Sequence, residues 1–435
     1  MYWQYTKNLK MLLLRYKGII INYTMAIPLV HFIETRKTEL GDNEFTFAEF
    51  KDQLVENLGN GLTIKEDNDV ALIYYDGCGS DSYKSLTPEN QELAISLRSC
   101  IIDKSTLEVL ATQYNNIIYN EDAVEYVKRK SWNNIVISKC HEGTLVTVFY
   151  HKKWYVCTRR CLDSNTSKWG TKTYGELFNE TLDFDFEELD KNYFYLFIIV
   201  HHDNNNIIKH SPGTQKLLLC NVTEKVSLRE NFEYKYLDKD ELEFSNIDDV
   251  FRYLHNINRN DIRNKTISSE GLILKVYDGE KHKSPFKILK LQTHIYRKVA
   301  EAKPNTSNIY HILLNFYQND QLSKLVRYFT DDLTITNKID KAIKDLAQEI
   351  LNIYHITRNK NNEELYGALT SVYKKVLYDL HGQFKLNKRS VGVHDVYYYL
   401  KGIETTFLRK LLIERPDTIK EFKSSNIYNI AQLLK

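Results

Sequence analysis

The sequence predicts an α+β protein: a domain built on antiparallel sheet, followed by an all-helical C-terminal domain. Between residues 130 and 222 apolar residues recur with a period of two, the pattern of half-buried strands joined by short turns. After Pro304 the apolar spacing changes to that of amphipathic helices. At roughly 150 residues per domain, a chain of 435 residues suggests two or three domains with ample material for buried cores.

The elements follow in order. Phe45 to Leu58 has helical spacing, and Gly59-Asn60-Gly61 ends it. Val70 to Tyr75, followed by Asp76-Gly77, reads as a strand and turn. Asn134–Ser138, Thr144–Tyr150 and Trp154–Thr158 read as short strands, with His151-Lys152-Lys153 as a tight hairpin between the last two. Tyr193–Val200 is a nearly continuous apolar strand and Leu217–Val222 another, while Asp248–His255 looks helical and Gly271–Tyr277 returns to strand. Ile309–Phe316, Ile339–Tyr354, Glu363–Tyr378 and Val396–Leu412 carry apolar residues at helical spacing. The domain boundary is therefore expected near Lys303-Pro304-Asn305, giving residues 1–24, 25–303 and 304–435 as extension, sheet domain and helical domain.

The N-terminal stretch holds two apolar runs, Met11–Leu14 and Gly18–Asn22, interrupted by Arg15 and Lys17. Neither approaches the ~18 residues that a membrane span needs, and a signal peptide would want an unbroken apolar region. An extension or a misassigned start before Met25 is expected, in an intracellular, cytoplasmic protein without a membrane partner. Lys and Arg number 59 against 57 Asp and Glu, with 27% charged residues, which excludes a globally disordered chain and a uniformly basic nucleic-acid coat. The 31 tyrosines and runs such as Asn115–Asn120 match A/T-rich codons as well as any function. Cys78, Cys100, Cys140, Cys157, Cys161 and Cys220 contain no CxxC pair and read as reduced thiols. No GxxxxGK[ST], GxSxG or HExxH occurs, which leaves P-loop, hydrolase and zincin readings without support.

A different set of motifs lies in one order. Leu97-Arg98-Ser-Cys-Ile-Ile-Asp103 comes first, then Tyr119-Asn120, then Ser138-Lys139-Cys-His-Glu-Gly143-Thr144-Leu145. Thr158-Arg159-Arg160 follows, then the strand 193–200, Ser268-Ser-Glu270-Gly271-Leu-Ile-Leu-Lys275, and Phe286-Lys287-Ile-Leu-Lys290-Leu-Gln292-Thr293. In these residues the chain resembles the covalent nucleotidyltransferase superfamily of ATP-dependent ligases and capping enzymes. It is most similar there to the T-even-phage-type RNA ligase, over roughly residues 70–300.

The resemblance implies a ligase-type nucleotidyltransferase domain that joins RNA ends through a lysyl-AMP intermediate. ATP and Mg²⁺ would be the cofactors, and RNA carrying 5′-phosphate and 3′-hydroxyl ends the partner. It also implies a monomer, possession by a large DNA virus, and then a place in the host cytoplasm. In such chemistry a lysine amine attacks the α-phosphate, a glycine turn admits the nucleotide, carboxylates hold ribose or metal, and cations neutralise phosphate.

Lys139 is the expected nucleophile. Gly143, however, lies four residues after it where the family has three, so an ungapped register puts Cys140 in the lysine's place. A one-residue bulge would restore Lys139. Glu270 is the expected nucleotide or metal ligand. Of Lys287 and Lys290 only one faces the phosphate, because residues three apart on a strand do not share a face. Arg98, Arg159 and Arg160 are expected near the nucleotide. The third-motif glutamate is missing: the matching stretch is Leu196-Phe-Ile-Ile-Val200. His201-His202-Asp203 just beyond it is not expected to form a joint metal site, since adjacent strand residues point oppositely. From Lys275 to Lys303 there are eight Lys or Arg against three Asp or Glu, a local basic segment. Two alternatives stay open: a degenerate nucleotide- or RNA-binding protein of the same fold, and a capping-type guanylyltransferase.

Overall fold

A computed structural model of the chain describes residues 27–40, 44–415 and 424–435, apart from 116, 169, 205, 239, 283 and 359–361. The expected extension 1–24 lies outside them. The chain divides into two compact units, one made of residues up to Asn260 plus Ser268–Tyr296, the other of Asp261–Ile267 plus Arg297–Lys435. The boundary expected at Lys303-Pro304 thus falls inside the second unit.

The first unit carries three four-stranded sheets. Helices α1 (Ile27–Leu40), α2 (Phe47–Leu58) and α3 (Pro88–Ser96) accompany the first, which orders β1 (Leu62–Glu66), β2 (Val70–Tyr75), β3 (Cys100–Asp103) and β4 (Val109–Thr112) as an antiparallel meander. All six residues of β2 are buried, which is why this strand reads as an unbroken apolar run. Thr46 starts α2 through a capping box with Glu49, satisfying N–H groups that the first helical turn leaves open.

Between the first and second sheets come β5 (Ile118–Tyr119), α4 (Asn120–Val127) and β6 (Ile135–Cys140). The second sheet has the order β10-β9-β7-β8, from β7 (Thr144–His151), β8 (Lys153–Thr158), β9 (Tyr193–His201) and β10 (Gln215–Glu224). Helix α5 (Tyr174–Thr181) packs Leu177 and Phe178 with Val146, Val148, Phe197 and Ile199 on one of its faces. The third sheet follows α6 (Ile247–Asn264) and has the order β5-β12-β11-β6, with β11 (Gly271–Tyr277) and β12 (Phe286–Gln292) at its centre. Its pairings are antiparallel except for the two-residue β5, which runs parallel to β12. One face buries Ile137, Leu272, Leu274, Leu289 and Leu291 with Ala123 and Val127 of α4 and Val250 and Leu254 of α6. The next helix, α7 (His294–Ala302), begins in the first unit.

The second unit is helical: α8 (Ile309–Gln318), α9 (Ile335–Arg358), α10 (Glu363–Ala368), α11 (Ser371–Asn387), α12 (Val393–Gly402), α13 (Thr405–Ile413) and α14 (Ser425–Leu434). Two helices expected to be continuous are broken. Within 363–378, Thr370 turns extended and accepts a hydrogen bond from the Tyr373 N–H, capping a new helix. Within 396–412 the chain turns extended at Ile403 after Gly402. Inside this unit the buried Glu349 pairs with Arg415 and accepts from Tyr373 Oη at 3.1 Å. Among the described residues no helix is long and apolar enough to cross a membrane.

Candidate functional site

Register assigns the side chains of the third sheet to its two faces, because residues directly opposite on paired strands point the same way. Gly271 stands opposite both Cys140 and Gln292, Leu272 opposite Lys139, Ile273 opposite Lys290, and Val276 opposite Lys287. Cys140, Lys290 and Gln292 therefore share one face. Lys139 and Lys287 lie on the other, the face of the apolar cluster with Leu272 and Leu289, and both are exposed at its rim. No bulge brings Lys139 round to join Lys290.

Glu270 organises the polar end of the shared face. It is 5% exposed. Its Oε1 accepts from Lys290 Nζ at 2.8 Å and Gln292 Nε2 at 3.0 Å, and its Oε2 accepts from Cys140 Sγ at 3.2 Å. Asn120 fixes Gln292 in turn, accepting from its backbone N–H at 3.0 Å and donating to its side-chain oxygen at 3.1 Å. Burial, with the Glu270 charge adding to it, pushes the Cys140 thiol far up, so it stays protonated and donates. Burial would lower the Lys290 pKa, but the Glu270 carboxylate that accepts its hydrogen bond outweighs that and raises it, so Lys290 remains an ammonium.

Two glycines admit this packing. Gly271 has φ +149°, and a Cβ there would lie 2.0 Å from the Leu291 carbonyl oxygen. At Gly143 a Cβ would lie 2.5 Å from the Ile199 carbonyl oxygen and 2.6 Å from Ile198 Cγ2. Ile198, in the strand that resembles the third motif, thus abuts the turn after Cys140. Between these, Glu142 accepts from the Ile207 and Ile208 N–H groups at 2.9 and 2.6 Å and from Tyr296 Oη at 3.0 Å. Burial chiefly raises its pKa.

A chain of cations extends from Lys290. Its ammonium lies 5.9 Å from the centroid of the Tyr119 ring, and Tyr119 in turn lies beside the Arg98 side chain. Arg159 donates to the Arg98 carbonyl at 3.3 Å and to Asp76 Oδ1 at 2.9 Å, an oxygen that also receives Arg160 at 2.9 Å. Burial is the main pull lowering the Arg98 pKa, yet a guanidinium stays charged. Glu270, Lys290, Arg98, Arg159 and Arg160 thus belong to one connected set, with Gly143 in the adjoining turn, while Lys139 and Lys287 stand apart from it.

Acids both outside and inside the basic segment pair with part of it. Lys275 pairs with the buried Glu230 at 3.2 Å, Lys290 with Glu270 at 2.8 Å and Arg297 with Glu301 at 2.8 Å. A hard divalent cation such as Mg²⁺ takes carboxylate oxygens, and an ammonium or a set of donors already on them competes with it. Both oxygens of Glu270 and both of Glu142 are already occupied, so these residues do not fit a resident Mg²⁺ as they stand.

Cys140, Glu142, Gln292, Asn120 and Tyr296 were not among the expected site residues. Cys140 had a sequence signal in its three-residue spacing to Gly143, and Asn120, Glu142 and Gln292 lie within the motifs that carry the resemblance, whereas Tyr296 had none. His201 and His202 also depart from expectation. The strand ends at His201, and the two imidazoles stack with centroids 4.5 Å apart instead of pointing to opposite faces.

No known family's sequence profile matches the chain. It is 27% identical over 156 residues to an "Immediate-early protein ICP-46 homolog" of Invertebrate iridescent virus 3, a match that spans 30% of this chain and 34% of that protein. The chain therefore matches only about a third of that relative's length. Among solved structures, one similar fold is an archaeal ATP-dependent RNA ligase, form 2, with 12% identity and a TM-score of 0.43, covering 70% of this chain and 83% of that one. Form 1 of the archaeal ATP-dependent RNA ligase gives 12% identity and a TM-score of 0.41, covering 68% and 78%.

Proposed function

We propose that the Cys140–Glu270–Lys290 face binds the phosphates of a nucleoside triphosphate of the ATP type without forming a lysyl-AMP adduct. The observation that carries this reading is a side-chain direction. The strand end that faces Glu270 and Lys290 presents Cys140, while Lys139 points to the opposite face. An amine must be unprotonated to attack phosphorus. The two lysines on the shared face, Lys275 and Lys290, each pair with a buried carboxylate, and Lys290 is held as a cation by its pair. What remains is recognition: Arg98, Arg159 and Lys290 offer positive charge, Gln292 offers an amide, and Gly143 and Gly271 let backbone approach closely. This is the degenerate alternative of the ligase resemblance, and it keeps a ligand while dropping covalent transfer.

The test uses the full chain with α-labelled ATP and, separately, GTP, with and without Mg²⁺. Saturable binding by equilibrium dialysis is expected, weakened about tenfold or more by Arg98→Ala, with no label surviving denaturation. A covalent label that disappears in Lys139→Ala would return the chain to the active-ligase reading. Absence of binding to either nucleotide would remove the proposal.

A further inference from the structure

We propose that the corner between α11 and α12, residues 384–393, docks on an anionic phospholipid bilayer and sets an apolar tip into its headgroup region. Phe384 and Leu386 at the end of α11 and Val393 at the start of α12 are all exposed, Leu386 to 84%. Single exposed apolar residues are ordinary on a folded surface. Three at one corner form a cluster that folding leaves without a partner. The corner is held from inside. Lys388 closes α11 in the left-handed region, φ +52°, and donates its N–H to the Phe384 carbonyl at 2.9 Å. Val391 is buried, and Asp395 accepts from the Gly392 N–H at 2.8 Å and from Arg389 at 2.6 Å. The apolar side chains are therefore presented by a fixed turn.

Charge selects the partner. From Leu380 to His394 the sequence carries Lys385, Lys388 and Arg389 and no acid. Lys385 and Lys388 are exposed, and neither has a carboxylate partner among the described residues. Lys375 adds another exposed cation further back on α11. Of the acids that flank the stretch, Asp395 is paired with Arg389, and Asp379 accepts from the Tyr399 hydroxyl at 2.7 Å. Cations at a helix C-terminus also complement its dipole. That accounts for the lysines and leaves the apolar residues unexplained. Apolar side chains set among lysines are the pattern of a peripheral membrane contact, in which burial of the tip adds to attraction by acidic lipids.

A single-stranded nucleic acid would meet the same cations, but it stacks its bases on aromatic rings. Leu386 and Val393 offer no ring, and Phe384 already stacks on His381 with centroids 5.8 Å apart. Tyr378 and Tyr398 are exposed as well. Tyr378 lies two turns before Lys385 on the same side of α11, about 10 Å back from the tip. That is headgroup depth, where tyrosines concentrate at bilayer surfaces. The contact is a surface one, since no described helix can cross a membrane. It departs from the absence of a membrane partner expected from the sequence, because packing alone decides that Leu386 stays bare.

The full chain, without nucleotide, is mixed with vesicles of phosphatidylserine and phosphatidylcholine in equal parts, or of phosphatidylcholine alone, and bound protein is read by co-sedimentation. Binding to the anionic vesicles only is expected, falling as salt rises. Leu386→Asp is expected to weaken it about tenfold or more, and Lys385→Glu combined with Lys388→Glu about twentyfold or more. These side chains are exposed, so circular dichroism is expected to show each variant folded. Val226→Asp, at a bare apolar residue of the first unit, is expected to leave binding unchanged. No binding to anionic vesicles, or binding that Leu386→Asp leaves intact, would overturn the proposal. So would corner-dependent binding of a single-stranded oligonucleotide in place of vesicles. Nucleotide takes no part in the readout, so its failure is distinguishable from failure of the proposed function.

Discussion

Lys290 and Glu270 keep only 15% and 7% side-chain exposure, so each is the other's main compensation for leaving water. Replacing Lys290 with Met strands a buried carboxylate, and a loss of about 3 kcal/mol is expected in urea unfolding. The same variant is expected to bind ATP more weakly; unchanged stability would mean that water, not Lys290, satisfies Glu270. Cys140→Lys makes the complementary prediction. The new amine enters beside the Lys290 ammonium, and a nearby like charge lowers an amine's pKa. An ATP-dependent covalent label is expected on this variant and not on the wild type, measured by gel after denaturation. The residue scale is also where sequence reading was least complete. Glu270 and Lys290 were legible because Glu-Gly before an apolar strand and a lysine on the next strand are local patterns. The choice between Lys139 and Cys140 was not, because a one-residue shift moves every side chain to the other face.

At the scale of elements, β11 depends on a glycine more than on its apolar residues. Gly271 holds φ +149° while its Cα passes the β12 backbone, and an added Cβ would meet the Leu291 oxygen at 2.0 Å. Gly271→Ala is expected to cost about 3 kcal/mol, read as a lower urea midpoint, since both strain and backbone displacement contribute. A cost below 1 kcal/mol would show that the strand end can slide. The strand Val70–Tyr75 was legible at its full length because burial on both faces writes a continuous apolar run, and Gly271–Tyr277 because its apolar residues follow Glu270-Gly271 with only Lys275 interrupting. The short β3 and β4, four residues each, were not, since so few residues carry no periodicity. Helix 363–378 was read as one because apolar spacing persists across Thr370, and only the cap reveals the break.

At the scale of the molecule, a half-buried lysine ties pH to stability. Lys225 of the first unit donates to the carbonyls of Tyr150 and Lys191, both at 2.6 Å, and burial pulls its pKa down to about 8. Between pH about 8 and 10.5 the unfolded chain binds the proton that the folded chain has released, so this group makes stability rise with pH across that window. Urea unfolding at pH 8 and pH 10 is expected to show this rise relative to Lys225→Met, in which the difference should vanish. By itself the sequence determined the α+β class, the helical C-terminal region and the residues of the Glu270–Lys290 pair, because periodicity, glycine placement and charge are local properties. Tertiary structure alone decided which face each lysine takes, that Glu230 pairs with Lys275, and that His201 and His202 stack beyond a strand end. Those outcomes depend on pairing register and on contacts between residues far apart in sequence, such as Cys140 with Glu270, 130 positions away, which no local pattern encodes.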